Sequence, residues 1–334
     1  MNFKGSIKSV LGAICESPVL RPNVRRSALH SVNVVYSHCV GNPGPHYTAF
    51  YNGCTASRFS KDLQRLSRVF DFAPLNEVLA DQSSTSVRDR PILAVTFDDG
   101  LDLRKSGAME VLDRHGIKAT AFVITSCIDN QKMMWRHMLS AIQAMVPDRG
   151  WISQYNELAL NHGLAPIEDG QNLLAASRRW DMKHKDELAA ELWNRCQLPP
   201  VGDYLAEKCP YFGAEGLRSW LAAGHSVGFH THTHPYCSQL QRADLEDEFI
   251  QPALELKQRL GLDDLSLSYP FGDRLQPSLE HELFETGIFK AFFGIRGFQQ
   301  KGVSNEKLER ANIEGPDLGW AVFAANVLRG LGWA

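Results

Sequence analysis

Short apolar runs alternate along most of this chain with segments of helical spacing, and turn-forming residues separate them. Asn33–Tyr36 reads as a short strand ending at Ser37-His38, before a Gly/Pro-rich loop from Gly41 to Pro45. Phe59, Leu63, Leu66 and Phe70 fall at helical spacing with Lys and Arg between them, predicting a helix over 59–70. The polar stretch Ser83–Asp89 predicts a linker, and Ile92–Val95 a buried strand. A helix around Ser106–His115 and a strand over Lys118–Ile124 follow. The pattern resumes with helix Glu215–Ala223, strand Ser226–Phe229, helix Asp244–Leu260, strand Leu265–Tyr269, helix Pro277–Gly287 and strand Lys290–Phe293. Strand, helix and strand at this spacing are the signature of parallel β/α units, so the fold class is α/β.

Between the two halves, residues 130–209 have a different character. They carry Trp135, Trp151, Trp180 and Trp193 and charged helical sequence such as Lys183–Arg195, predicting a mostly helical insertion within a single domain spanning 1–334. Its tryptophans are expected to form the core of that insertion in preference to sugar-stacking platforms.

Composition narrows the function classes. The chain has 334 residues, 44% hydrophobic and 22% charged, enough to bury a sizeable core. A formal net charge of −3 gives no electrostatic case for nucleic acid or an anionic membrane as partner. No apolar run is long enough to span a bilayer, and Met1–Leu20, with its weak apolar stretch Val10–Cys15, is too interrupted for a signal peptide. Seven scattered cysteines fit reduced thiols better than a disulfide framework. The expected location is the cytoplasm, with attachment to the inner membrane face as the variant of it.

The candidate chemistry lies in two short segments. Thr96-Phe97-Asp98-Asp99-Gly100 places adjacent carboxylates at the end of a buried strand, where a divalent cation is the usual compensation. A bare Asp-Asp-Gly is also an ordinary turn, so the downstream segment decides. His230-Thr231-His232-Thr233-His234-Pro235 has three histidines in five residues, and His230 and His234 at i, i+4 share one face of a turn or loop. One Asp and two His leave open positions on a metal for water and substrate, while the second Asp stays free as a base. A ligand pair His230-x-His232 would need further histidines on later strands, and only His281 follows, inside a predicted helix. Lone histidines such as His115, His162 and His225 read as structural.

With Tyr269-Pro270-Phe271-Gly272 as a third segment, the chain from Val34 to about Ile313 resembles the polysaccharide deacetylase family, also called the NodB homology or carbohydrate esterase 4 family. The resemblance implies a distorted, TIM-like (β/α) barrel of about seven strands. It implies that Asp98 is the general base, that Asp99, His230 and His234 hold the metal, and that Thr231 orients their loop. Tyr269, Pro270 and Phe271 would line the substrate groove, with the Phe271 N–H facing the oxyanion. The metal it implies is a divalent cation, most often Zn2+, with Co2+ or Ni2+ tolerated. The implied reaction removes an N-acetyl group from an amino sugar of a glycan or glycan precursor. A same-fold hydrolase of a non-sugar amide or ureide and a non-catalytic sugar-binding relative are the alternatives.

Two positions depart from the family pattern. Ser268 stands where an Arg usually orients the base, and no histidine follows His281 to act as the late general acid. Arg310 is the candidate replacement for the first. Asp273 and His38 are the candidates for the second.

Overall fold

The computed structural model describes residues 21–41, 46–82, 88–168 and 170–314. The N-terminal stretch, most of the Gly41–Pro45 loop and most of the Ser83–Asp89 linker fall outside the described residues.

Seven parallel strands run in order through one curled sheet: β1 (Val34–Ser37), β2 (Ile92–Phe97), β3 (Thr120–Val123), β4 (Ser226–Phe229), β5 (Leu267–Ser268), β6 (Phe292–Phe293) and β7 (Ala311–Asn312), and an eighth, Asp71–Phe72, pairs parallel with the start of β2 alone. Their spatial order is β7-β1-β2-β3-β4-β5-β6. Register follows the apolar pattern, with Val35 opposite Val95, Thr96 opposite Thr120 and Phe122 opposite Gly228. Phe293 of β6 bridges to Leu308, just ahead of β7, which brings the two ends of the sheet together. The result is a distorted (β/α) barrel.

Strand alternation separates two sets of side chains. Val35, Leu93, Val95, Phe97, Ala121, Leu267 and Phe292 pack outward in one apolar core with the surrounding helices. Val34, Ala94, Phe122 and Phe293 belong to a second, smaller cluster inside the barrel. Phe122 fits there because Gly228 faces it: a Cβ at residue 228 would lie 2.4 Å from the Phe122 ring. Gly228→Ala is therefore expected to cost about 1–3 kcal/mol by overpacking. An unchanged denaturant midpoint in this variant would contradict that packing.

The helices are α1 (Arg21–Leu29), α2 (Ala56–Leu66), α3 (Leu75–Gln82), α4 (Ala108–Arg114), α5 (Trp135–Met145), α6 (Trp151–Asn161), α7 (Leu173–Ser177), α8 (Lys185–Arg195), α9 (Val201–Lys208), α10 (Ala214–Ala222), α11 (Gln251–Leu260) and α12 (Pro277–Glu285). Helix α2 starts three residues before the apolar pattern does, because the Thr55 side chain caps the Arg58 N–H. Helices α5–α9 share a separate apolar cluster that buries all four tryptophans and includes Leu101, Ile124 and Cys127 from loops at the barrel mouth. Phe271 packs against the same cluster, so these helices stand over the C-terminal ends of the strands, where sites in barrel folds form.

Candidate active site

Asp98 follows β2 directly and continues its inward alternation, buried at 3% exposure. Arg310, entering β7, meets it inside the barrel with Nη1 donating to Oδ1 at 2.8 Å and Nη2 donating to Oδ2 at 2.7 Å. The guanidinium also donates to Ser268 Oγ (2.6 Å) and Thr96 Oγ1 (3.0 Å), and lies over the rings of Tyr36 and Phe122. Ser268 is thus part of this cluster, at the position where the family pattern has its Arg. The bidentate pairing itself comes from another strand. Burial would raise the Asp98 carboxyl, but Arg310 outweighs it and holds the group below the usual carboxylate range.

Asp99 would point away by strand alternation. Its φ of 70° turns it back toward His230 and His234, and the charge of His230 also acts on Asp98. Asp99 Oδ1 lies 3.2 Å from His230 Nε2 and 3.3 Å from His234 Nε2. These three atoms are the buried set, all within 4.8 Å of one another, with the composition of a metal site. Two donor atoms about 2.1 Å from a tetrahedral ion stand about 3.4 Å apart, which matches these spacings. Asp99 Oδ1 has no hydrogen-bond partner of its own, as a metal-directed oxygen should not. His230 Nδ1 donates to the Ser268 carbonyl at 2.7 Å, which leaves Nε2 unprotonated toward the ion position. The residues fit a divalent cation.

The other oxygen of Asp99 is fixed by a chain of neutral groups. Tyr51 Oη donates to Asp99 Oδ2 and accepts from His137 Nε2 at 3.0 Å. His137 Nδ1 takes the Tyr211 hydroxyl at 2.8 Å, and Tyr211 Oη accepts the Met134 N–H at 3.0 Å. Burial pushes His137 down to about 3, so it stays neutral and the polarity of the chain is set.

The histidine loop is held from behind. Thr231 (φ 65°) and His234 (φ 61°) take left-handed backbone, and Thr231 Oγ1 accepts the His234 N–H at 2.9 Å. Helix α11 is preceded by a π-turn over Glu246–Ile250, where the sequence pattern predicted continuous α-helix. Pro252 has no N–H for the Glu248 carbonyl, which accepts the His232 N–H at 3.1 Å instead. The Glu248 carboxylate accepts from Thr233 N (2.6 Å) and Thr233 Oγ1 (2.8 Å). His232 itself turns away to Thr125 Oγ1 at 2.8 Å.

The remaining sequence candidates separate. His38, after β1, sits 3.1 Å from Glu314 Oε2, and the charges of Asp99 and Asp98 also act on it. Burial opposes a charged ring, but Glu314 overrides it and lifts His38 to about 9. Asp273 instead accepts the Ser238 N–H at 2.7 Å. Phe271 (φ 58°) sets its ring 4.7 Å from that of His234, and among the described residues its N–H has no hydrogen-bond partner. Pro270 is buried beside it. Tyr269 does not line the groove: alternation from inward-facing Ser268 turns it outward, fully buried against Phe292. Tyr51, His137, Glu248 and Glu314 are site residues that the sequence patterns did not single out.

The sequence matches the polysaccharide deacetylase profile over residues 86–147 and 194–282, leaving out 148–193, the middle of the helical insertion. Over these segments the chain is similar to the polysaccharide deacetylase family. The fold is similar to that of the Streptococcus pyogenes deacetylase PplD in complex with acetate, with a TM-score of 0.55 and 16% identity over 90% of this chain and 97% of that one. It is also similar to IcaB from Ammonifex degensii, at 0.52 and 16% over 88% and 97%. A de-N-acetylase from Aggregatibacter actinomycetemcomitans is a third, at 0.51 and 10% over 84% and 94%. At these identities the likeness is one of fold. No curated protein matches the sequence.

Proposed function

We propose that this protein is a metal-dependent hydrolase that removes an N-acetyl group from an amino sugar of a glycan or glycan precursor. The observation that carries the reading is the buried set Asp99, His230 and His234 beside a separate, Arg310-paired Asp98. A divalent cation such as Zn2+ held by that set would supply Lewis acidity toward the acyl carbonyl and the attacking water. Asp98, kept ionised by Arg310, takes the proton from that water. The Phe271 N–H is free to donate to the oxyanion. His38, kept protonated by Glu314, gives its proton to the departing amine nitrogen. Asp273 is engaged by Ser238, so the acid role goes to His38 alone. Six free cysteines among the described residues favour a reducing compartment, the cytoplasm, for the reaction. Among the described residues no helix is long and apolar enough to cross a membrane.

The test is release of acetate and free amine in equal amounts from N-acetylated sugars by the metal-loaded protein. The pH profile checks the acid assignment. His38 faces Glu314, the rings of Tyr36 and Tyr51, and the fields of Asp98 and Asp99. Activity needs its protonated form, so the rate should fall as pH rises through the His38 value, which Glu314 lifts above that of an ordinary histidine. Glu314→Gln removes the charge that raises it and should move this limb down by at least about one pH unit. An unmoved limb would rule out His38 as the acid.

A further inference from the structure

Three acidic groups at the site have a cationic or metal-directed partner. Asp98 is paired with Arg310, Glu314 with His38, and Asp99 faces the two histidines. Arg136 has no such partner among the described residues. Arg136, in the first turn of α5, lies 4.5 Å over the Tyr51 ring and 5.4 Å from the Phe271 ring. Those two rings flank the metal set, Tyr51 through its bond to Asp99 and Phe271 through its contact with His234. No carboxylate pairs with Arg136 among the described residues, and its Nε is shielded from solvent without an acceptor. The exposed Arg178 sits a short way along, in a shallow depression that it shares with Tyr236, Ser238, Gln239 and Phe271. Tyr236 stacks on Phe271 at 4.4 Å, so the floor between the two arginines is aromatic. Asp273, at this edge, is held by the Ser238 N–H.

A guanidinium left without a counter-ion beside a catalytic cavity is poised for an anion, because a charged partner gives it strong, directional hydrogen bonds. Its helix position adds the positive end of α5 to the same place.

We infer that Arg136 recognises an acidic group, phosphate or carboxylate, carried on or next to the sugar whose acyl group is removed. This rests on reading the site as a sugar N-deacetylase, and it narrows the substrate to an anionic one. The aromatic floor takes the sugar faces and Arg178 extends the positive track outward.

The test uses the metal-loaded full chain and three probes: the neutral methyl glycoside of N-acetylglucosamine, N-acetylglucosamine 1-phosphate, and the carboxylate-bearing N-acetylmuramic acid. Affinities come from calorimetry, and acetate is assayed in the same samples. At least one acidic probe should bind about tenfold or more tightly than the neutral one at low salt. Arg136→Gln should abolish that advantage, and Arg136→Lys, which keeps the charge, should retain part of it. A gain for the phosphate alone identifies a phosphate-linked sugar precursor, and a gain for the carboxylate an acidic glycan. Equal affinity for neutral and acidic probes overturns the inference, as does an advantage that survives in Arg136→Gln. Charge-dependent binding that Arg136→Gln abolishes, without acetate release, supports anion recognition by Arg136 and contradicts the deacetylase reading on which the substrate assignment rests.

Discussion

Asp98→Asn should lower acetate release by about 10²–10⁴-fold while the protein still binds its metal, because the amide keeps the shape of the carboxylate but not its basicity. The metal set does not include Asp98; Asp99, His230 and His234 form it. His234→Ala should therefore lose metal and turnover together. Asn still accepts from Arg310 through its one oxygen, but Arg310 then lies buried without a counter-charge, at a cost on the order of 3 kcal/mol. Turnover and metal content should thus be measured on protein whose folding has been checked by circular dichroism. Near-normal turnover in Asp98→Asn would mean that another group takes the proton.

Arg310→Met should have the largest effect on stability. It strands Asp98 at 3% exposure without its bidentate partner, and breaking such a pair costs on the order of 3–5 kcal/mol. The pH dependence separates this from simple loss of packing. In the native protein the Asp98 carboxyl lies below its unfolded value, so its contribution is present above about pH 4 and is lost as pH falls through the folded value. Without Arg310, burial raises the carboxyl above the unfolded value, and the sign reverses. The variant is then penalised most at neutral pH and recovers relative stability as pH falls from 7 toward 5. Chemical denaturation at both pH values measures this. A deficit that does not change between them would show that Arg310 acts by packing alone. Arg310→Lys restores the charge but not the two-point contact, so it should recover part of the stability.

The parallel strands were legible because each is a short apolar run bounded by turn residues, and Asp98-Asp99 was legible because it ends one of them. The barrel's closure was not. It depends on Leu308 bridging to Phe293 and on the two-residue strand Ala311–Asn312, which is too short to have a period. Strands over 265–269 and 290–293 shrink to two residues each in the structure. The first is cut short by the turn at Pro270, which lacks an N–H to continue the ladder. Tyr51 and Glu314 lie in stretches without periodicity, and only the tertiary fold brings them to Asp99 and His38. His137 and Arg136 sit on α5, where neighbouring apolar residues make the sequence read as helix and hide its site-facing residues. Arg310 could be singled out as the replacement for the family's missing Arg, and the structure places its guanidinium on Asp98.

The measurement that bears most directly on the account is bound metal per chain after equilibrium dialysis against zinc, with His230→Ala alongside. The account predicts one ion per native chain and none in the variant. A native protein that takes up no zinc, or a variant that takes up as much, would contradict a metal centre built from Asp99, His230 and His234.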